Sequence, residues 1–561
     1  MNAGTVSAGM VIGQLKLRWR VDAELREADR ARLGGLVREL CDGPLEDALA
    51  DIPGCYPAEV CIRHVAVPTH RARWDSTDAE LVAGWAKAIG HAVRATAIPG
   101  GDVVRFASRA HARADLIVSV LAGDRERTWA WQLLGLWPAG NWPDAEAVSR
   151  TVAAAVGEQP GALVALVIAA ARAAQLGRFI DYVGPPALAE FTWRAWLAAG
   201  GSARPRAPGQ DGAGDAALTD RLVALLHQRS EIIASALRLP AARLAAPARS
   251  DGSGPITASG PAAASGPATM SGSPVRPGPL AEALAALAVL EVEPAMAAHP
   301  GTWTAVSRTA RELLRIAADE PRPRPATPDA APQPDHPPGE ATAEPAQPAI
   351  RSRSPRPEPP ASRPDTGPDG ARAQLRSPTE DAAALIPPST GAATCWGGLL
   401  FLLSIVAELG IPASVTAEPG EYGVGFRPVL HELGRQLLAR AAPDADPAGP
   451  DDPALLAFCG LSPGSDAPRP PEPHAGERIG AAADSVVAAL RERLPGLDSY
   501  RGDSALLLSV CRRHAVIQAD PGWIDVDLRL DEVSVDVRRA GLDLDPGYLT
   551  WLGCVVRFRY V

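Results

Sequence analysis

The sequence predicts a mostly helical α+β protein, built from folded parts that unpacked stretches separate. Three observations lead there. Hydrophobic residues make up 46% of the 561 positions, enough for globular cores. The 56 prolines and 52 glycines gather in runs rather than spreading evenly. Apolar residues recur with period two near both ends of the chain and with helical spacing between.

At the N-terminus, Leu15, Leu17, Trp19 and Val21 alternate with Gln14, Lys16, Arg18 and Arg20, the pattern of a strand with one buried face. Leu25, Leu33, Leu36, Val37 and Leu40 then fall at helical spacing, and a second strand is expected over Val60–Val67. Thr77 and Glu80 stand at capping-box spacing ahead of a helix that carries Leu81, Val82, Trp85, Ile89 and Val93 on one face. A third strand through Val103, Val104 and Phe106 completes a β-α-β-α-β unit, and helices follow to about residue 200.

Among these helices, Arg127–Trp137 holds three tryptophans in eleven residues. On one continuous helix Trp129 and Trp131 lie roughly 200° apart. That phase puts Trp129 and Trp137 beside Leu133 and Leu136 on a core stripe and leaves Trp131 as the candidate partner-docking residue.

The first folded domain is therefore placed at 1–200, followed by helical segments at 201–318 with a flexible Ser/Gly/Pro/Ala linker at 247–278. Residues 319–388 are the clearest low-complexity stretch, with no aromatic between Trp303 and Trp396. It is expected to be a disordered, proline-stiffened tether. The C-terminal domain at 389–561 is expected to hold helices at 393–410, 426–442, 478–495 and 503–513. A small antiparallel sheet should follow, from alternation at Ile524–Leu530, Val533–Val537 and Val556–Tyr560.

The chemistry tests are mostly exclusions. Net charge is −10, nearly all of the 55 basic residues are arginines, and no basic stripe occurs, so no nucleic-acid footprint is expected. The seven cysteines are odd in number, lack CxxC spacing and do not cluster with the ten histidines. They read as buried free thiols with no metal site. Gly460–Gly464 spells the letters of a nucleophile elbow around Ser462, but a helical stretch precedes it and Pro463 has no N–H for an oxyanion hole. His431-Glu432 lacks the second histidine of a zinc protease, and Gly423 and Gly425 lack the third glycine of a dinucleotide loop. Asp525, Asp527, Asp531, Asp536, Asp543 and Asp545 read as the solvated face of a sheet rather than a calcium loop. No catalytic residue, cofactor, small-molecule substrate or membrane span is expected; the stretch Gly397–Ile411 is too short to span and is broken by Glu408. A cytoplasmic location is expected.

The stretches LKLRWRVD, LVRELC, AEVCIRHVAVP and DAELVAGWAKAIGHAV near the N-terminus resemble the opening of bacterial contractile injection system proteins of the tape-measure type, and CWGGLLFLLSIVAELGIP and RRAGLDLDPGYLTWLGCVVRFRYV near the C-terminus resemble proteins of the same gene clusters. The resemblance implies a non-enzymatic structural or assembly component of a phage-tail-like particle, with tube, sheath or baseplate components as partners. The short, proline-interrupted helices depart from a ruler, so a folded accessory of the particle is expected as readily. An adaptor tethering two protein partners, and an enzyme with an unrecognised site, are the alternatives.

Overall fold

The structure is a computed structural model. It describes residues 26–50, 59–69, 71–96, 103–138, 140, 142–202, 213–245, 278–319, 391–422, 425–443, 449–494 and 502–561. The expected strand at 15–21, and residues 247–277 and 320–388 of the two expected linkers, lie outside these.

Helices α1 (Glu27–Cys41), α2 (Pro44–Ala50) and α3 (Asp78–Thr96) form a small N-terminal cluster around Leu36, Leu40, Leu45, Leu81 and Ile89. The capping box is present in both directions: Thr77 N donates to Glu80 Oε2 at 3.0 Å, and Glu80 N to Thr77 Oγ1 at 3.3 Å. Strands β1 (Glu59–Ile62) and β2 (Val103–Phe106) pair antiparallel, Glu59 opposite Phe106. The first of them is shorter than the expected Val60–Val67.

A helical lobe follows: α4 (Arg109–Ala122), α5 (Thr128–Leu133), α6 (Asp144–Glu158), α7 (Ala162–Arg172), α8 (Leu176–Val183), α9 (Pro185–Ala198), α10 (Ala213–Arg229), α11 (Glu231–Ala236), α12 (Ala241–Ala245), α13 (Pro279–Val292) and α14 (Thr302–Asp319). Helix α13 is apolar all round and buried from Leu280 to Val292, which makes it the lobe's central rod. Trp303 of α14 meets Trp193 and Trp196 of α9 edge-on at 6.1 and 5.4 Å. Apart from α3, one hydrophobic core gathers the described residues from Cys61 to Leu314. The boundary expected at residue 200 therefore has no counterpart in the packing. α13 lies too far along the sequence to be read as the core of helices that precede it.

The C-terminal lobe begins with β3 (Ala392–Thr394) and a 3₁₀ turn at Gly397–Leu402, where a single helix was expected. Then come α15 (Leu403–Glu408), α16 (Ile411–Ala417), α17 (Pro419–Tyr422), α18 (Phe426–Ala441), α19 (Pro453–Phe458), α20 (Ala475–Arg493) and α21 (Asp503–Cys511). Strands β4 (Ala515–Asp520) and β5 (Trp523–Leu528), helix α22 (Val535–Arg539), and strands β6 (Gly547–Leu549) and β7 (Cys554–Tyr560) end it. The sheet has five strands in the order β3-β4-β5-β7-β6. Its pairings are antiparallel except β5 with β7, which run parallel with Asp525 beside Arg557. The alternation at Val533, Val535 and Val537 forms no strand. Ser534 instead caps α22, and β5 and β7 have already closed on each other where Leu530 N meets Val561 O at 3.1 Å. Phe401 packs edge-on against Phe558 at 4.8 Å, so the two C-terminal stretches that carry the family resemblance share one core.

The lobes meet closely. Gly161, just before α7, has the Tyr548 ring where a Cβ would stand, and Gly553 lies against Pro294. Between them sits Glu293, 3% exposed, whose carboxylate accepts Phe426 N at 2.8 Å and Arg427 N at 3.4 Å across the seam. No single helix among the described residues is long and apolar enough to cross a membrane. The bent pair Gly397–Glu408 and Ile411–Ala417 approaches that length, but Leu399–Leu403 lie inside the C-terminal core.

Candidate functional site

Trp131 is not a docking residue. It is 0% exposed, while Trp129 is half-buried. Its indole Nε1 donates to Asp115 Oδ2 at 3.0 Å, and its ring lies 6.0 Å from that of Trp137. The expected phase requires one helix over 127–137. The helix stops at Leu133, Gly135 turns with φ 66°, and Leu136 N and Trp137 N both return to Trp131 O. This glycine-terminated end folds Trp137 back onto Trp131 and leaves Leu133 exposed. Asp115 also accepts Arg127 Nη1. Burial pushes its carboxyl above the ordinary aspartate range, and Arg127 opposes the shift.

The rejected motifs stay apart from any common site. Ser462 lies in coil after α19, with no strand before it. His431 Nε2 is bonded to Pro450 O at 2.8 Å, and Glu432 is taken by Arg435 and Gln436. Among the described residues no three His, Cys, Asp or Glu side chains form a metal-binding group. Cys61, Cys459, Cys511 and Cys554 are buried free thiols, as expected, but Cys41 is exposed. Burial pushes the Cys459 and Cys554 thiols up to about 12, so neither ionises near neutrality.

The aspartate series is not uniformly solvated. Asp525 is 2% exposed, held by Trp523 Nε1 at 2.9 Å and by Arg557 and Arg559 on the neighbouring parallel strand. Arg559 Nη1 approaches Asp525 Oδ2 at 3.2 Å without the alignment of a hydrogen bond, and its Nε bonds Asp527 Oδ1 at 2.6 Å. Asp543 is also buried and accepts the Tyr560 hydroxyl at 2.9 Å. Parallel pairing sets Asp525 beside Arg557 and Asp527 beside Arg559, so the carboxylates neutralise arginines within the sheet. Sequence alternation revealed the face but not its cross-strand partner.

Beyond this charged ladder, the sheet end carries an aliphatic rim. Leu530 is 66% exposed, Val535 61%, Val561 60% and Leu544 59%, and Val533 is less so at 40%. The rim is held firmly from beneath. Glu532 accepts His514 N at 2.7 Å and faces His514 Nδ1, tying the 529–535 loop to the start of β4. Val537 anchors α22 in the core. Arg539 stands four residues after Val535, on the same side of α22, and Arg512 precedes the clasped His514. Neither arginine has an ion-pair partner among the described residues. A rigid aliphatic surface flanked by unpaired arginines suits association with an apolar protein surface that carries carboxylates. No family model, no curated protein and no solved structure matches the chain.

Proposed function

We propose that the chain is a non-enzymatic assembly component of a contractile injection particle, and that it docks on its partner through the rim of Leu530, Val533, Val535 and Val561. The exposure of these aliphatic side chains on a clasped sheet end carries the reading, because water-facing aliphatic clusters on a rigid support favour protein association. The particle itself is inferred from the resemblance of the two stretches that meet at Phe401 and Phe558. The partner is a tube, sheath or baseplate protein presenting an apolar ridge with acidic flanks to Arg512 and Arg539.

The test is co-expression of the full chain with the tube, sheath and baseplate proteins of a contractile injection particle, followed by co-purification. One of them should co-purify with the native chain, and the double change Leu530→Asp, Val535→Asp should lower recovery at least tenfold while the melting curve holds. Binding that survives the double change would overturn the docking surface. Normal particle numbers in cells lacking the chain would overturn the assembly role.

A further inference from the structure

The polar groups buried where the lobes meet are arranged differently from those in either core. Helix α13 ends at Val292, and the next turn is shared: Ala295 packs in the C-terminal core, Met296 and Ala297 in the N-terminal one. Two carboxylates flank this point, each at the start of a helix. Glu291 accepts Ser230 Oγ, Glu231 N at 2.9 Å and Ile232 N at 3.3 Å, all within its own lobe. Glu293 does the same for α18 in the other lobe, through Phe426 N and Arg427 N. Pro428 has no N–H, so Glu293 takes both donors offered by the first three residues of that helix. Arg427 reaches back to the Glu291 carbonyl at 3.0 Å, and its Nε is buried without a partner.

The backbone is shaped for this contact. Gly425, with φ 111°, precedes α18, and a Cβ there would stand 2.8 Å from Glu293 Oε1. A helix N-terminus with a glycine before it is a ready anion site, and the anion here is a side chain of the other lobe. The rest of the seam is packing contact, including the 294–298 turn against α16 and α10 against α17. Tyr548 lies in the gap at Gly161, Gly522 touches Ala165, and Pro294 lies against Gly553.

We infer that Glu293 is a releasable latch: the helical lobe and the C-terminal lobe each keep their own core, and the Glu293–α18 contact holds them in one docked arrangement that can open. The separate cores carry the first half of this statement. The second follows because the first two N–H groups of α18 depend for their cap on one carboxylate of the other lobe. Opening uncovers Tyr548, Pro294 and the start of α18, a second surface distinct from the rim.

Hydrogen exchange on the full chain tests this, comparing the native protein with Glu293→Ala and Glu293→Gln. Glu293→Ala should speed exchange at least tenfold at 159–165, 426–430 and 547–555. Protection in α4 and α13 and in α20 and β4 should stay unchanged. Glu293→Gln keeps an acceptor oxygen and should fall between. Unchanged exchange along the seam would overturn the latch. Uniform loss of protection throughout both lobes would overturn it equally, because the lobes would then be one cooperative unit.

Discussion

The seam and the rim invert the usual distribution of polarity. Where the lobes meet, the molecule buries a glutamate and the Nε of an arginine and shaves side chains down to glycine. At the far end of the same sheet, it exposes leucine and valine to water. Buried polar contacts are worth little net free energy, but they are exacting in geometry, so the seam specifies one docked arrangement. Aliphatic exposure is undirected and worth roughly 25 cal/mol per Å² once covered, so the rim gains from any well-fitting partner.

The ordinary interior sets the scale against which both can be measured. Trp131→Ala should cost about 3–5 kcal/mol in denaturant unfolding, because it empties a full indole volume and strips Asp115 of a donor. Trp129→Ala should cost less, since that ring is half-buried. Equal losses would mean the Trp131 environment is looser than its burial indicates. Next comes steric opposition at the seam. Gly161→Val should destabilise by about 1–3 kcal/mol, because the Tyr548 ring occupies the space of the added side chain. Tyr548→Ala in the same chain should recover most of the loss. No recovery would show that Gly161 matters for its own lobe only.

A smaller effect comes from charge. Burial outweighs the opposing pull of Arg427 and raises the Glu293 carboxyl above its ordinary value of 4.5. The folded protein then holds this proton more tightly than the unfolded chain does. Its contribution to stability falls as pH rises from 4.5 through the raised value, and is level above it. Asp115, Glu291 and Asp525 shift the same way, so the informative quantity is the difference between native and Glu293→Gln melting curves across pH. That difference, native minus Glu293→Gln, should fall as pH rises through the window. A flat difference would mean Glu293 is better solvated than the seam geometry implies. The smallest expected change is at the rim, where Val533→Ala should leave stability within about 0.5 kcal/mol. A larger loss would mean the rim packs against its own chain rather than awaiting a partner.

The sequence made local features legible and distant ones opaque. Thr77 and Glu80 could be paired because the capping box closes within one turn. Strands β5 and β7 showed through alternation, since one face is core and the other is not. The same alternation misled at Val533–Val537, where no strand edge was left to pair with. Trp131 was misplaced because angles were summed along a helix that Gly135 ends; the glycine was the available signal. The seam gave no sign at all. Gly425 could be tested only against nucleotide loops, because its actual partner, Glu293, lies 133 residues before Phe426.

That separation also matters during synthesis. The helical lobe can gather its core once Leu314 has emerged, but Glu293 must then wait for Phe426. At about 5–20 residues per second, the wait is roughly 6–22 s. Until then the cap on Phe426 N and Arg427 N cannot form. Strand β5 waits in turn for β7, its parallel neighbour, before the sheet can close. Burial of Glu293 is thus a late event in the life of each new chain, and it reports that the second lobe has arrived and folded beside the first.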